Sequence, residues 1–503
     1  MKLKVIAKDL RGLKSELAVM PVLQSPKFNV EEFLGAPRKL VERIKMLATK
    51  RKIEFESGET ILIESPEGID AGFLLLLGVG KTAECDNYTI RTFAARAIKE
   101  SNELKASTLS FLSPSNTGEE LLRRWIYHLA VGALLSTYRF DKYLSEEKRK
   151  KYFVPSEFRI ISPLVKEADK LIARASVVAE SVFIARDIVN EPGSGMFPEK
   201  LAEVARKVAM RIPDLSASVW DEKRILKERM NLLYEVGKGS THKPRFIILE
   251  YKPRRKPTTK RKAVLVGKGL TFDTGGINLK PAQGGMLEMM KMDKGGGAAI
   301  IGAMAAIARL KPPFPVIGLV PAAENANDGG AYLPGDIIRG RKGITVEVNN
   351  TDAEGRLILA DALAYACELK PTEIIDTATL TGACMVALGM FTTGLFTPDD
   401  EIAKVLEGAA SRAAEHIWRL PLTEKVGEGL KTPSADTKNS GGRFGGAISA
   451  ALFLKKFVDP TIKWAHLDIA GPAFTEKAYE FFSYGGTGVI TETLVEFITP
   501  NDI

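Results

Sequence analysis

The sequence predicts two α/β domains, on three observations. At 503 residues the chain is too long for one ordinary core, and its 45% apolar and 26% charged content is that of a folded globular protein. Short apolar runs of strand character alternate with longer runs of helical period, both before and after one long helical stretch. The acidic and glycine-rich segments of the second half stand where such strands end. Together these place an N-terminal α/β domain over residues 1–163, a connecting helix over 164–190 and a second domain over 191–503. The sheet of that second domain is expected to be mostly parallel or mixed, sandwiched by helices, with function in loops at the carboxyl ends of its strands.

Taken in order, Leu3 to Ala7, Thr60 to Glu64, Phe73 to Gly78 and Ser107 to Leu112 read as strands, each rich in apolar residues. Pro37 to Ala48, Ile90 to Ser101 and Glu119 to Tyr138 carry helical periodicity. After the polar stretch Asp141 to Lys151 comes a short strand, Phe158 to Ile161, and then the long helical pattern from Val165 to Val189. Proline and glycine in Asn190-Glu191-Pro192-Gly193 stop it. Beyond this point strands are expected at Phe246 to Leu249, Ala263 to Val266, Val316 to Val320, Thr345 to Val348, Glu373 to Asp376 and Trp464 to Ile469. Helices are expected between them at Pro198 to Ile212, Ala298 to Leu310, Leu357 to Leu369, Asp399 to His416 and Ala447 to Phe457.

Composition narrows the function. Three scattered cysteines, Cys85, Cys367 and Cys384, argue against a disulfide framework and fit a reducing cytoplasm. The first apolar run is cut by Lys8 and Asp9, too short for a signal-peptide core, and the uncharged run from Gly295 to Ala308 falls short of the roughly 20 residues a membrane crossing needs. It reads instead as a buried helix. The net charge of +9 permits contact with nucleic acid without arguing for it. Lys252, Arg254, Arg255, Lys256, Lys260, Arg261 and Lys262 form one dense cluster, most simply a solvated loop between two strands. A DNA-binding or architectural role is the alternative that such a surface keeps open.

The second half carries the chemistry. Asn349-Asn350-Thr351-Asp352-Ala353-Glu354-Gly355-Arg356 joins a strand-like run to a helical one; if its backbone stays extended through Ala353, Asp352 and Glu354 point the same way. The bland alternative is a polar turn in which Thr351 or Asp352 caps the helix and Arg356 pairs with Glu354. Upstream, Lys268 and Asp273 lie among glycines and threonines at a strand end, and Asp293 stands before a glycine run and a buried helix. That run matches no phosphate-binding pattern, no serine-nucleophile elbow exists, and the four histidines, His128, His242, His416 and His466, read as structural, His466 as a satisfied core histidine in an apolar strand. Asp273, Asp293, Asp352 and Glu354, from three loops of one expected sheet edge, call for dications to neutralise them. A two-metal site suits hydrolysis.

These residues resemble the leucyl aminopeptidases, the cytosolic di-metal peptidases of family M17. The resemblance rests on Val266-Gly267-Lys268-Gly269 through Asp273, on Lys280 and Asp293, and above all on Asn350 through Leu357. It continues in Ala378-Thr379-Leu380-Thr381-Gly382 and Trp464 through Gly471. It implies that Lys268, Asp273, Asp293, Asp352 and Glu354 ligate two divalent ions, manganese or zinc foremost and magnesium or cobalt also compatible. Lys268 would then be a neutral amine. It further implies that Lys280 stabilises the oxyanion, that Arg356 holds a bicarbonate as proton shuttle, and that peptide substrates lie near Asn350 and Leu380. The first, apolar side chain would meet Met290, Thr379, Gly382, Ala470 and Ala473. A cytoplasmic homohexamer, a dimer of trimers with no membrane association, is implied as well. Two features depart from the family pattern. The segment from Lys280 to Asp293 is two residues longer, which reopens which of Met286, Met289, Met290 and Met292 faces the pocket, and Ala473 replaces the bulkier residue of some relatives.

Overall fold

The structure, a computed structural model, describes residues 1–8, 10–24, 36–81, 85–114, 118–257, 259–281 and 285–501. Its backbone contacts divide the chain into two compact units, Met1–Ala179 with Ala478–Ser483, and Glu180–Lys477 with Tyr484–Asn501. The division falls within the long helix Val165–Asn190.

The first unit is built on a six-stranded sheet of β1 (Lys2–Ile6), β2 (Lys14–Val22), β3 (Thr60–Glu64), β4 (Asp70–Gly78), β5 (Thr108–Leu112) and β6 (Glu157–Ile161), in the order β1-β6-β5-β2-β4-β3. All neighbours are parallel except β3 and β4. Strand β2, inside this sheet, is one the sequence pattern does not mark. Pro21 argues against a central strand, yet β5 pairs only with Leu17 to Val19, so the missing N–H of Pro21 costs no bond on that side.

The second unit carries a nine-stranded mixed sheet. Its strands are β7 (Leu215–Trp220), β8 (Arg245–Tyr251), β9 (Ala263–Gly267), β10 (Gly269–Asp273), β11 (Val316–Asn325), β14 (Glu373–Ala378), β15 (Thr392–Phe396), β16 (His416–Arg419) and β18 (Lys463–Asp468). A smaller sheet of β12 (Ile337–Arg339), β13 (Thr345–Glu347) and β17 (Thr437–Lys438) stands beside it. Strands β18, β14, β9 and β11 run parallel to one another, and β10 runs parallel to β11. Their carboxyl ends, Asp468, Ala378, Gly267, Asn325 and Asp273, therefore open onto one edge.

Three expectations need correcting. The strand before the octapeptide, β13, belongs to the small sheet, so the acidic residues do not come from the edge of a single sheet. Gly269–Asp273 is itself a strand rather than a loop. The helix expected to run to His416 stops at Arg412, and His416 opens the edge strand β16.

Helix Gly295–Leu310 packs its glycine end against the strand ends. A Cβ on Gly296 would lie 2.2 Å from the Thr377 carbonyl oxygen. The glycine run is thus a close-packing device, not a phosphate cradle. On helix Gly355–Glu368, Asp361 is fully buried and accepts hydrogen bonds from the backbone N–H of Leu233 (3.1 Å) and Arg341 (2.8 Å). It thereby caps, from another element, the helix Asn231–Gly237, whose own N-cap position, Met230, offers no side-chain bond. Asp361→Ala strands those N–H groups and is expected to cost about 2–5 kcal/mol by denaturant unfolding. Burial raises the Asp361 carboxyl to about 7, opposed by those backbone bonds, so folding takes up a proton between about pH 4 and 7. Wild-type stability should fall across that window, and that of Asp361→Asn should fall less.

Candidate active site

The octapeptide does not stay extended. Ala353 N–H donates to the Asn350 carbonyl (3.2 Å) and Asp352 N–H to Asn350 Oδ1 (2.9 Å), which folds Thr351 and Asp352 into a turn, and Glu354 already has helical angles. The two carboxylates converge all the same. Ligand-capable oxygens of Asp273, Asp352 and Glu354 lie within 4.8 Å of one another. The bland capping reading fails on geometry: Glu354 occupies the N-cap position without a side-chain cap bond, and Arg356 Nη1 donates to the Asn439 carbonyl (2.7 Å). Lying at or just before the N-termini of helices Gly355–Glu368 and Gly295–Leu310, Glu354 and Asp293 sit where the helix dipole favours negative charge.

Two ammonium groups hold the four carboxylates. Lys268 Nζ lies 2.8 Å from Asp293 Oδ1, 3.0 Å from Glu354 Oε1 and 2.9 Å from the Thr379 carbonyl. Lys280 Nζ lies 2.8 Å from Asp273 Oδ2 and 2.6 Å from Asp352 Oδ1. Asp293 thus joins the other three through Lys268 rather than directly. Its Oδ1 also accepts from Thr379 Oγ1 (2.6 Å), while its Oδ2 is buried with no hydrogen-bond partner in the structure. Gly355 belongs to the same packing, because a Cβ there would lie 2.6 Å from Lys268 Nζ.

Burial raises Asp273, Asp293 and Asp352 above the ordinary carboxylate range. Burial opposes the charge of Glu354 too, yet Lys268 and Lys280 outweigh it and hold that carboxyl below its usual value. Burial likewise disfavours the Lys268 charge, but Asp293, Glu354 and Asp273 more than compensate, so this lysine is an ammonium here. The neutral amine that the resemblance implies is tied to dications beside it; with no metal bound, three nearby carboxylates outweigh burial.

Several residues that sequence reasoning missed complete the site. Asn325 Nδ2 donates to Asp273 Oδ1 (2.8 Å), Tyr332 Oη donates to the Thr351 carbonyl (2.8 Å), and Asn439 Nδ2 donates to the Asn350 carbonyl (2.7 Å). Asp468, at the end of β18, accepts from Leu380 N–H (3.2 Å), Thr381 Oγ1 (2.7 Å) and Ala470 N–H (3.1 Å), drawing two expected substrate-binding stretches together. Thr379, Met290, Ala470 and Ala473 are buried, Leu380 and Asn350 partly so, and Gly382 is exposed. Thr379 Cγ2 and Ala473 Cβ both border Gly295. Met292 is buried and Met289 partly so, while the Met286 side chain lies outside the described residues. His466 is half satisfied: Nδ1 meets Asp376 Oδ1 at 2.5 Å, and Nε2 is buried without a partner.

The basic cluster is partly committed to the fold. Arg254 pairs with Asp214 (2.8 Å), Arg261 pairs with Glu373 (2.5 Å) and covers the Phe314 ring, and Lys262 Nζ donates to the Leu369 carbonyl (2.5 Å). No helix among the described residues is long and apolar enough to cross a membrane.

Acidic side chains from separate segments, gathered around two lysine ammonium groups near the carboxyl ends of the central parallel strands, can be compared with known proteins. Residues 183–495 match the catalytic domain of the cytosol aminopeptidase family, and residues 19–147 match the N-terminal domain of that family. The chain is 44% identical over 460 residues to a probable cytosol aminopeptidase of Aquifex aeolicus, covering 91% of this chain and 90% of the relative. It is 38% identical over 504 residues to one of Persephonella marina, covering 99% of each. Among solved structures, a mutant of tomato leucine aminopeptidase superposes with a TM-score of 0.89 at 32% identity, over 99% of this chain and 97% of that one. The bottromycin maturation enzyme BotP in complex with Mn superposes with a TM-score of 0.83 at 33% identity, over 96% of this chain and 99% of that one. Both halves of the sequence and the arrangement of the second unit lead to the same place: the chain belongs to the cytosol aminopeptidase family, M17, and is a metal-dependent exopeptidase.

Proposed function

We propose that Lys268, Asp273, Asp293, Asp352 and Glu354 hold two divalent ions, manganese or zinc before magnesium or cobalt, and that the enzyme removes an apolar, leucine-like residue from the amino terminus of peptides. The observation that carries this is the buried, partnerless Asp293 Oδ2 beside three carboxylates whose oxygens converge within 4.8 Å. Four carboxylates against two ammonium groups leave a local excess of negative charge that suits hard or borderline dications. A bound pair of such ions supplies an activated water and polarisation of the scissile carbonyl at neutral pH. For Lys268 to become a ligand its proton must leave, which a dication among the same carboxylates favours.

The chain's own groups do the rest. Lys280 is pinned between two carboxylates, and its ammonium is placed to donate to the oxyanion that forms during peptide hydrolysis. Arg356 stays cationic at neutral pH although burial lowers it to about 10, and its Nε has no hydrogen-bond partner in the structure. It would hold a bicarbonate, which supplies a proton-accepting group beside the cleaved bond. Asn350 and Leu380 orient the peptide backbone. The first side chain meets Met290, Thr379, Gly382, Ala470 and Ala473, of which the alanines leave room for bulk and offer no charge. A cytoplasmic hexamer, a dimer of trimers, is the assembly this reading expects.

Hydrolysis of a panel of aminoacyl amides, after chelation and after readdition of each metal singly, tests the reading. Leucine and methionine amides should be cleaved faster than aspartate or lysine amides, only with metal present, and best with manganese or zinc. Undiminished turnover after complete chelation, or a preference for charged amides, would sink it.

A further inference from the structure

We propose that Asn325 is a positioning residue, one that fixes the loop of Asp273 and the loop of Asp352 relative to each other. The inference deepens the ligand assignment above and rests on it. Asn325 ends β11 and stands in register with Asp273, the last residue of β10. Its buried amide Nδ2 lies 2.8 Å from Asp273 Oδ1 and 3.1 Å from the Thr351 carbonyl, and Thr351 immediately precedes Asp352. Its backbone carbonyl accepts from both Thr274 N–H (3.0 Å) and Thr274 Oγ1 (2.9 Å). One residue therefore grips both ligand loops. Thr351 closes the ring by donating from Oγ1 to the Gly275 carbonyl (2.7 Å), and Tyr332 Oη adds a second donor to the Thr351 carbonyl.

The chemistry of this position is demanding. Both neighbours of the Asn325 amide are acceptors only, so the amide must turn its NH₂ toward them. Aspartate would present a carboxylate to a carboxylate, leucine offers no donor, and serine or threonine offers one. With Asp273 Oδ1 taken by Asn325 and by Gly275 N–H (2.8 Å), only Oδ2 is left to face Lys280 and the converging carboxylates. Asn325 thereby decides which oxygen of Asp273 is presented to the site. This is the outer-shell support that sets the orientation of a ligand and, through it, affinity.

Metal binding to the chelated full-length enzyme, measured by chelator competition with Mn²⁺ alone, gives the test. Asn325→Leu should raise the metal dissociation constant about 10–100-fold and lower kcat at saturating Mn²⁺ more than it changes KM. A fall in thermal stability alone, with wild-type Mn²⁺ affinity and kcat, would make Asn325 merely structural and overturn the proposal. If Asn325→Leu does not fold, Tyr332→Phe keeps the ring and removes one donor to the Thr351 carbonyl. It should still weaken Mn²⁺ binding by severalfold, and wild-type affinity in it would count against the idea. Wild type and Asp352→Ala run alongside. Wild type without bound Mn²⁺ would overturn the ligand assignment together with this inference, whereas normal wild-type binding, loss in Asp352→Ala and no change at Asn325 would overturn this inference alone.

Discussion

Glu354→Gln is expected to weaken metal binding by more than about 100-fold, beyond the upper end for loss of an outer-shell partner, and to abolish peptidase activity with it while the protein stays folded. The side chain is buried at the start of helix Gly355–Glu368, and its Oε1 lies 3.0 Å from Lys268 Nζ. Glutamine keeps the shape and one acceptor oxygen, so Lys268 retains Asp293 and the Thr379 carbonyl beside it. What disappears is one full negative charge. Lys268 and Lys280 keep Glu354 ionised against the cost of burial, so wild type carries that charge throughout the neutral range. Glu354→Ala is a less discriminating variant, because it also leaves a buried ammonium with a single carboxylate partner, at a cost of about 3–5 kcal/mol. Elemental analysis alongside thermal unfolding separates the two effects. Two ions per chain in folded Glu354→Gln would remove Glu354 from the ligand set.

Why Glu354 could be singled out from sequence is instructive. Its type, its place between a strand-like and a helical run, and its spacing from Asp352 all point to convergent acids, although the extended backbone on which that convergence would depend is not what forms. A turn brings them together instead, through Asn350 Oδ1 and the Asn350 carbonyl. The alternation of elements was legible because apolar period reports burial directly. Strand membership was not, since pairing partners lie far along the chain: β13 pairs with β12 and β17, and nothing in Thr345 to Val348 distinguishes that from a place in the main sheet. β7 escaped notice because Leu215-Ser216-Ala217-Ser218-Val219-Trp220 has small residues where a core strand has large ones. The same distance hides Asn325, Tyr332 and Asn439. Each acts through a hydrogen bond to a residue 19 to 89 positions away, and none carries a charge that would draw attention in a linear reading. Local pattern reveals titratable groups at element ends; the neutral donors that aim them emerge only from the fold.

Lys280→Ala should do the opposite of Glu354→Gln, keeping the metal and losing about 10²–10³-fold in kcat, the usual cost of one oxyanion donor, with KM little altered. Lys280 Nζ is held between Asp273 and Asp352, so the ammonium is already in place before charge develops on substrate and no reorganisation is needed at that moment. Burial works against its charge, but Asp273, Glu354 and Asp352 more than offset this and hold the group above the ordinary lysine range. The kcat deficit of the alanine variant is read at neutral pH, from initial rates at saturating Mn²⁺. Removing metal changes the comparison. Without dications the variant leaves Asp273 and Asp352 facing each other with no ammonium between them, so chelation should lower its melting temperature further than it lowers that of wild type. Turnover equal to wild type at saturating metal would exclude Lys280 from the chemistry, and a deficit confined to KM would make it a ground-state binding residue instead.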